Sequence, residues 1–474
     1  MAEPLWTLQE LVNVTGGQIL GTSGEAFHGI SIDSRTTEPG DIFVAILGEH
    51  HDGHDFAADA LKAGAGIAIV SRHDEAMAAA GPLLLVDDPL RALERLGIAA
   101  RNRSSARIVA VTGSVGKTGT KEALRLCLQT AGKTHASVAS FNNHWGVPVS
   151  LARMPRDARF AIFELGMNHA GEIETLVAMV RPHVAIITTI APVHIGYLGS
   201  IEAIADAKAE IFSGLEPGGA AVINADIDQH DRLAEAARRA GASRIVSFGE
   251  KGGADARLLN VSVKDDCSVV EARILGQDIT YCVGAPGHHI ATNSLAVLAA
   301  ATLAGADLAV SALALRDMRA PKGRGARQRL LANGGEVTLI DESYNANPVS
   351  MRAALALLGQ AKPGRGGRRI AVMGDMLELG DEADRFHAEL SEAVEAAQVD
   401  RVFLCGRHME ALWHRLRPEL RGGYASDSEK LVAELLDDVH AGDVVMVKGS
   451  LGSRMAVLVD ALRRRFTPAS ADAA

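Results

Sequence analysis

The stretch from Arg107 to Ala131, RIVAVTGSVGKTGTKEALRLCLQTA, constrains the fold more than any other part of the chain. Its run Ile108 to Val111 is short, apolar and largely β-branched, which predicts a buried strand. The sequence TGSVGKT then breaks the strand, and an amphipathic helix is expected to begin at Lys117. A strand, a glycine loop and a helix N-terminus together form an anion cradle, because glycine lets backbone N–H groups approach phosphate oxygens and the helix dipole favours negative charge.

This loop predicts a nucleotide-phosphate site. Lys117 is expected to reach the β- and γ-phosphates, and the Thr118 hydroxyl to bind a magnesium ion. The full Walker pattern has a glycine where this chain has Val111, so Gly113 opens a shorter loop. An ordinary strand-to-helix turn is the alternative, and the position directly after a buried strand favours phosphate. The predicted loop residues are Thr112, Gly113, Ser114, Val115, Gly116, Lys117 and Thr118.

Length, charge and cysteine spacing exclude several classes of protein. A chain of 474 residues exceeds a single core, so two to four domains are expected. The net charge of −10 argues against a general nucleic-acid binder. Four scattered cysteines give neither a zinc pattern nor a disulfide framework, which favours a reducing cytoplasm. No apolar run approaches membrane-spanning length, and the N-terminus lacks the features of a signal peptide.

The order of predicted elements indicates an α/β protein with three domains. Residues 1–104 are predicted to form a small α/β unit. Residues 105–325 alternate strands with helices, which is typical of a mostly parallel sheet covered on both faces. A Pro/Gly-rich boundary follows at 320–325. Residues 326–474 restart the alternation as a second doubly wound sheet, and the absence of GxGxxG after its first strand argues against dinucleotide binding.

Polar residues follow several predicted strands of the central domain. Ligands of open parallel sheets bind beyond the carboxyl ends of the strands. A single Glu or His there is usually a cap or surface residue, but several converging on the phosphate loop favour a Mg²⁺ site. Lys208, within a helix predicted at 201–212, is by itself an ordinary surface lysine. The strand-end residues are Glu164, Asn168, His169, His194, Asn224 and Asp226.

Seven motifs, in order along nearly the whole chain, resemble one family: TGSVGKT, FNNHWGVP, ELGMNHAGEI, AKAEIFSGL, DESYNANPVSM, GDMLELG and VKGS. The chain is similar to the Mur ligases, the ATP-dependent ligases of bacterial cell-wall synthesis. SYNANP with GDMLELG resembles the D-alanyl-D-alanine-adding branch, and the DNPR motif of the branch that adds diaminopimelate or lysine does not occur. The resemblance implies an N-terminal UDP-sugar-binding domain, a central ATPase and a Rossmann-like C-terminal domain.

The resemblance also implies roles for individual residues. The expected catalytic residues are Lys117, Glu164, His194 and Lys208. The expected magnesium ligands are Thr118, Glu164, His194 and Lys208, the last as a carbamylated lysine. Asn293, Arg324 and either Asp341 or Glu342 match positions near adenine, phosphate and ribose, and the alignment can slip by one residue at the acidic pair. The chain departs from the family at Ile290, because family members commonly have an asparagine directly after the histidine that corresponds to His289. The expected substrate-binding residues are Ser34, Arg35 and Gly48 for the uridine nucleotide, Asn142, Asn143, Asn168 and His169 near the central domain, and Asn345, Asn347, Lys448 and Ser450 for the dipeptide.

The expected reaction is peptide-bond formation through an acyl phosphate, with ATP and Mg²⁺ as cofactors. The expected substrates are UDP-MurNAc-tripeptide and D-Ala-D-Ala, and a cytoplasmic monomer is expected. His194 or His169 could act as a general base, although a metal or positioning role is favoured. The alternatives are another Mur-type or folylpolyglutamate-type amide ligase, or a P-loop switch protein, for which no NKxD motif is found. Residue three of the tripeptide, diaminopimelate or lysine, stays open.

Overall fold

The computed structural model describes residues 3–48, 51–138, 140–193, 195–264, 267–320 and 323–468. These residues form three successive α/β units, each built on its own sheet. The predicted α/β fold with a parallel-rich central sheet is confirmed. Among the described residues, no helix combines the length and apolarity needed to cross a bilayer.

The N-terminal unit is a five-stranded sheet in the order β2-β7-β6-β5-β4, beside a small antiparallel pair of β1 and β3. The strands β4 to β7 run parallel, and β2 pairs with β7 antiparallel. The apolar strand Ile67–Val70 is buried throughout, as expected for the middle of a covered sheet. The elements are β1 Trp6–Thr7, α1 Leu8–Thr15, β2 Gln18–Leu20, β3 Ala26–Phe27, β4 Gly29–Ser31, β5 Asp41–Val44, α2 Ala57–Lys62, β6 Ile67–Val70, α3 Glu75–Ala80, β7 Leu83–Leu85 and α4 Pro89–Arg103.

The central unit has a nine-stranded sheet in the order β16-β15-β14-β13-β12-β11-β8-β10-β9. Its strands run parallel from β9 to β14, and β14, β15 and β16 form an antiparallel edge. The elements are β8 Arg107–Thr112, α5 Lys117–Gln129, β9 Thr134–Ala136, α6 Gly146–Ala152, β10 Phe160–Glu164, α7 Glu172–Val180, β11 Val184–Ile187, α8 Ile195–Leu198, α9 Ile201–Ala209, β12 Ala220–Asn224, α10 His230–Arg239, β13 Arg244–Gly249, β14 Ala256–Val263, β15 Ser268–Ile274, β16 Gln277–Val283, α11 His288–Leu303 and α12 Leu308–Ala314.

The C-terminal unit has a seven-stranded sheet in the order β21-β20-β19-β22-β18-β17-β23. Its first five strands in that order are parallel, while β17 pairs antiparallel with both β18 and β23. The elements are β17 Ala326–Ala332, β18 Gly335–Glu342, α13 Pro348–Gln360, β19 Arg369–Gly374, α14 Ala383–Ala388, α15 Leu390–Ala396, β20 Arg401–Cys405, α16 Met409–Arg415, β21 Arg421–Ala425, α17 Ser428–Asp438, β22 Val444–Lys448, α18 Ala456–Arg465 and β23 Thr467–Pro468.

The sheet topology places the glycine loop in the middle of the central unit. The strand β8 lies between β10 and β11, and its apolar residues are completely buried. The helix α5 starts at Lys117, as the sequence predicts. The helix expected at 201–212 instead ends at Ala209 and continues as one 3₁₀ turn, Glu210–Phe212. Because the carboxyl ends of β8, β10 and β11 meet at one edge, the loops that follow them are neighbours.

Candidate active site

The loop between β8 and α5 requires glycine at two positions. Gly113 and Gly116 have φ angles of +144° and +88°, where other residues are strained. A Cβ added at Gly113 would lie 2.0 Å from the Thr188 hydroxyl, and one added at Gly116 would lie 2.6 Å from the Asn293 amide nitrogen. The glycines therefore allow the loop to pack against β11 and α11, and they bring Asn293 against the phosphate loop.

Lys117 is the first residue of α5 and bends back over the loop. Its ammonium donates a hydrogen bond of 2.7 Å to the Gly113 carbonyl. Burial lowers the pKa of Lys117, the Arg324 charge lowers it further, and the Glu164 carboxylate opposes the shift. A cation held beside a helix N-terminus attracts the anionic end of a nucleotide.

Glu164 ends strand β10 and is held by two hydrogen bonds. One carboxylate oxygen accepts from the Thr118 hydroxyl at 2.9 Å, and the other accepts from the Asn142 amide at 2.7 Å. The side chain is 1% exposed. Two donors and the nearby Lys117 charge compensate the burial of this carboxylate.

The Thr118 and Glu164 side chains fit a magnesium ion that also binds phosphate. Both supply oxygen donors, which Mg²⁺ prefers, and this ion usually takes only one or two carboxylates together with phosphate oxygens and waters. Within the described ranges, no three His, Cys, Asp or Glu side chains form a metal cluster. His194, predicted as a further ligand, lies outside the described residues.

Lys208 is buried within α9, and not exposed as an ordinary surface lysine. Its side chain is 1% exposed, and among the described residues no hydrogen bond or ion pair to its ammonium is found. Burial lowers the pKa of Lys208 well below its ordinary value, and the Lys117 charge lowers it further. Both effects disfavour the charged ammonium form of Lys208, which lies close enough to Lys117 to interact with its charge.

Residues from the linker and the C-terminal unit form the opposite wall. The Arg324 guanidinium donates to the Ser140 hydroxyl at 3.3 Å, and its carbon lies 4.4 Å from the Tyr344 ring centroid. The Lys448 ammonium, 2% exposed, donates to Glu342 at 3.1 Å and to the Asn345 carbonyl at 2.9 Å. Positive and hydrogen-bonding groups thus face the phosphate loop from the second domain.

The two members of the acidic pair have different environments. Glu342 lines the cavity beside Lys448. The Asp341 carboxylate, 1% exposed, instead accepts from the Ser343 hydroxyl at 2.6 Å and from Arg463 at 3.1 Å. Alternation along β18 directs neighbouring side chains to opposite faces, so the position left open by the sequence is geometrically suited to Glu342.

Asn347 combines a structural contact with a free donor. Its side-chain oxygen accepts from the Ser350 N–H and so caps α13. Its amide nitrogen is buried and, within the described part of the chain, has no hydrogen-bond partner. Asn347 lines the cavity between the phosphate loop and the C-terminal unit. Ser450 does not line this cavity, and its hydroxyl accepts a hydrogen bond from the Leu377 N–H. A buried donor without a partner is costly unless a ligand uses it.

The central and linker residues enclose a cavity of about 700 Å³ between the central and C-terminal units. The cavity also contains two side chains that sequence reasoning missed, Ser140 and Tyr344. Tyr344 lies inside the SYNANP motif, so its position was available as a signal. The predicted residues that line the cavity are Ser114, Val115, Gly116, Lys117, Thr118, Asn142, Glu164, Asn168, Asn224, Asp226, Asn293, Arg324, Glu342, Asn345, Asn347 and Lys448.

Three other predicted residues near the cavity have structural partners. The Asn143 oxygen accepts from the Gly146 N–H at the start of α6. His169 is exposed and contacts Glu172 at 2.9 Å and the Tyr197 ring, and it does not line the cavity. The Thr112 hydroxyl donates to the Leu165 carbonyl. Local geometry therefore supports these residues as parts of the scaffold.

The predicted uridine-side residues lie in the N-terminal unit. Arg35 is 86% exposed and pairs with Asp33 at 2.7 Å, which lowers the pKa of that carboxyl group. Ser34 begins a 3₁₀ turn that Asp33 caps, and the Gly48 N–H donates to the His51 carbonyl. None of these residues lines the cavity described above.

Fold and site together define a multidomain protein with a phosphate-loop nucleotide domain joined to a second α/β domain. Three family models match successive parts of the chain: "Mur ligase family, catalytic domain" at 26–115, "Mur ligase middle domain" at 111–301, and "Mur ligase, glutamate ligase domain" at 326–451. A curated relative from Escherichia coli, "UDP-N-acetylmuramoyl-tripeptide--D-alanyl-D-alanine ligase", is 33% identical over 97% of this chain and 99% of its own length.

Solved structures give the same result. MurF from Acinetobacter baumannii superimposes with a TM-score of 0.83 at 30% identity, covering 98% of this chain and 99% of the other. MurF from Thermotoga maritima in complex with ADP has a TM-score of 0.75 at 26% identity, covering 92% and 97%. The chain belongs to the Mur ligase family, as its motifs predict.

Proposed function

We propose that this protein joins D-alanyl-D-alanine to UDP-N-acetylmuramoyl-tripeptide in an ATP-dependent reaction. Relatives at 30–33% identity over nearly the whole chain carry this activity in their names. The observation that carries the chemistry is the cluster of Lys117, Thr118 and Glu164 facing Arg324 and Lys448 across one cavity. Such an arrangement suits phosphoryl transfer at the meeting of two domains.

The reaction is proposed to proceed through an acyl phosphate. A carboxylate is a poor electrophile because it is anionic and lacks a good leaving group. The terminal carboxylate oxygen of the tripeptide attacks the γ-phosphorus of ATP, and ADP leaves. The dipeptide amine then attacks the carbonyl carbon, phosphate departs with the C–O bonding electrons, and the nitrogen loses a proton as the amide forms.

Lys117 and the start of α5 bind the phosphates in this proposal. The Lys117 ammonium neutralises charge on the phosphate oxygens, and backbone N–H groups of the loop donate to them. Arg324, fixed against Tyr344, supplies a second cation from the linker side. These groups stabilise the charge that spreads over the phosphoryl oxygens during transfer.

Thr118 and Glu164 would hold Mg²⁺ together with phosphate oxygens and waters. When bound, the ion neutralises negative charge and polarises the transferring phosphoryl group. Asn142 holds one Glu164 oxygen, and this bond fixes the orientation of the carboxylate. Glu164 also supports the charge on Lys117, whose pKa would otherwise be lowered further by burial.

Lys208 is proposed to be carbamylated, in agreement with the family resemblance. Only a neutral amine attacks CO₂, and burial together with Lys117 lowers the pKa of Lys208 in this direction. The reaction converts the neutral amine into an N-carboxylate anion and releases one proton. That anion would lie close to Lys117 and offer oxygen ligands to the metal site.

The C-terminal unit is proposed to receive the dipeptide and to exclude water. Asn347 offers a buried amide donor without a partner in the described structure, and Lys448 offers a cation at the same wall. Excluding water lets the acyl phosphate meet an amine before hydrolysis. Asn345 lies beside them through its carbonyl contact with Lys448.

The domain roles follow from this reaction. Residues 1–104 are proposed to bind the UDP-sugar through Ser34, Arg35 and Gly48, residues 105–325 to bind ATP, and residues 326–474 to bind the dipeptide. We further propose that the enzyme acts as a cytoplasmic monomer. Small molecules are its substrates in this proposal.

The decisive experiment measures phosphate release from ATP with UDP-MurNAc-tripeptide, with and without D-Ala-D-Ala, followed by mass spectrometry of the product. Release should require both substrates and should give UDP-MurNAc-pentapeptide. Separate tripeptides carrying diaminopimelate or lysine at position three assign that residue. ATP turnover that ignores both substrates, or that depends on a folate, would contradict the proposal and support another amide ligase.

A further inference from the structure

A second, larger cavity lies between the central and C-terminal units. It encloses about 1690 Å³. Its described lining contains seven lysine or arginine residues and one acidic residue, although the whole chain carries a net charge of −10. We call it the basic cleft. Its cationic residues are Lys264, Arg316, Arg319, Arg327, Arg329, Lys362 and Arg365.

The basic cleft is distinct from the candidate active site, and neighbouring residues of the same linker line the two cavities. Arg324 lines the active-site cavity, whereas Gly325 to Arg327 line the basic cleft. In the C-terminal sheet, the basic cleft meets the beginnings of β18 and β22, at Glu336 and Val444. The active-site cavity meets the ends of the same two strands. The two cavities therefore occupy opposite ends of this sheet.

Several cations of the basic cleft lack the acidic partners that are common elsewhere on this protein. Arg316, Lys362 and Arg365 are exposed, and among the described residues none makes a side-chain hydrogen bond or ion pair. By contrast, arginines such as Arg232 and Arg273 each form two hydrogen bonds to one carboxylate. Positive groups brought together on two walls of a concave surface repel one another and attract a multivalent anion.

We propose that the basic cleft binds a polyphosphate chain, either free or attached to a nucleoside. Arginine matches phosphate oxygens with paired N–H donors, and a chain of phosphates presents several charges within a short length. A concave cleft with walls from two domains suits a small ligand, whereas a flat basic face would suit a bilayer. Arg316 would contact the ligand from the central unit, and Lys362 and Arg365 from the C-terminal unit.

The test uses calorimetry with inorganic tripolyphosphate on the full chain. A Lys117→Ala background removes the main cation of the phosphate loop, so that the remaining binding reports the basic cleft. We expect one tripolyphosphate per chain, and at least tenfold weaker binding when Arg316→Gln, Lys362→Gln and Arg365→Gln are added. Affinity should fall steeply with salt, because several charges are neutralised.

A matched control separates the cleft from general charge. The variant Arg257→Gln, Arg415→Gln, Arg464→Gln removes three exposed cations that line neither cavity. In the Lys117→Ala background, this control variant should bind tripolyphosphate with an affinity within twofold of that of the Lys117→Ala protein. Absence of binding in the Lys117→Ala background, an affinity independent of salt, or equal losses in both triple variants would each overturn the proposal.

A comparison with GTP identifies the source of the phosphates. Binding at least tenfold tighter than tripolyphosphate assigns a nucleoside polyphosphate, and equal affinities assign the phosphate chain alone. Because calorimetry needs no turnover, the site can be established even if the proposed ligase reaction fails. If the Lys117→Ala protein binds no tripolyphosphate while the wild-type enzyme still forms the pentapeptide, the cleft site is refuted and the ligase proposal stays in place.

Discussion

Replacing Glu164 by glutamine tests the centre of the proposed site. The amide is nearly isosteric with the carboxylate, and both existing contacts can adapt. Its oxygen can accept from Asn142, and its nitrogen can donate to the Thr118 hydroxyl, which then acts as an acceptor. The cost in folding stability should therefore be about 1 kcal/mol, the net value of one altered hydrogen bond.

The effect on catalysis should be much larger than the effect on stability. Glu164→Gln removes a proposed metal-binding charge and the carboxylate that supports the charge on Lys117. Loss of one preorganised electrostatic group typically costs about 3 kcal/mol, which corresponds to a kcat lowered roughly 10²-fold. Higher Mg²⁺ should restore part of the rate, because the weakened site still has the Thr118 hydroxyl and the phosphate oxygens.

The assay is steady-state phosphate release at several Mg²⁺ concentrations, with thermal melting of each variant. Glu174→Gln removes one carboxylate from the exposed side of α7 and serves as the control, with unchanged kcat expected. A Glu164→Gln enzyme that keeps kcat within threefold at limiting Mg²⁺ would refute the assigned role. A melting temperature that collapses would show instead that the carboxylate is mainly structural.

Three further predictions follow from the structure. Gly116→Ala should destabilise the fold by about 1–2 kcal/mol, because residue 116 has a positive φ, and should weaken ATP binding at least tenfold. The control Gly171→Ala has a similar φ of +86° but open space around the added Cβ. It should lower the melting temperature and leave ATP binding unchanged. Wild-type enzyme depleted of CO₂ should lose activity and regain it when bicarbonate is added. The intact mass of the active enzyme should include one CO₂, which the inactive Lys208→Gln variant lacks. Activity that does not depend on CO₂ would contradict carbamylation. Burial lowers the pKa of His183 from 6.5 to about 4, so the unfolded state takes up a proton before the folded state does, and the free energy of unfolding falls as the pH falls from 6.5 to about 4. His183 accepts a hydrogen bond from the Ile108 N–H. His183→Gln should reduce the dependence of the free energy of unfolding on pH in this range, measured by urea unfolding, and an unchanged dependence would contradict the assignment.

Local sequence patterns were sufficient to predict much of the fold. The apolar run of β8 and the glycines of its loop predicted a strand and a helix beginning at Lys117, because burial and backbone freedom act over a few residues. The motif order along the chain was sufficient to indicate the Mur ligase family, which the comparisons confirm.

Tertiary structure decided the environment of individual side chains. Lys208 resembles any helical lysine in sequence, and only the packing of α9 shows that its amine is buried near Lys117. Asp341 and Glu342 are adjacent acidic residues, and only the folded chain shows that Asp341 contacts Arg463 whereas Glu342 contacts Lys448 at the cavity. Charge, burial and hydrogen bonding at these positions depend on residues far apart in the chain, so the sequence determined the type of site and the folded chain determined which atoms can serve it.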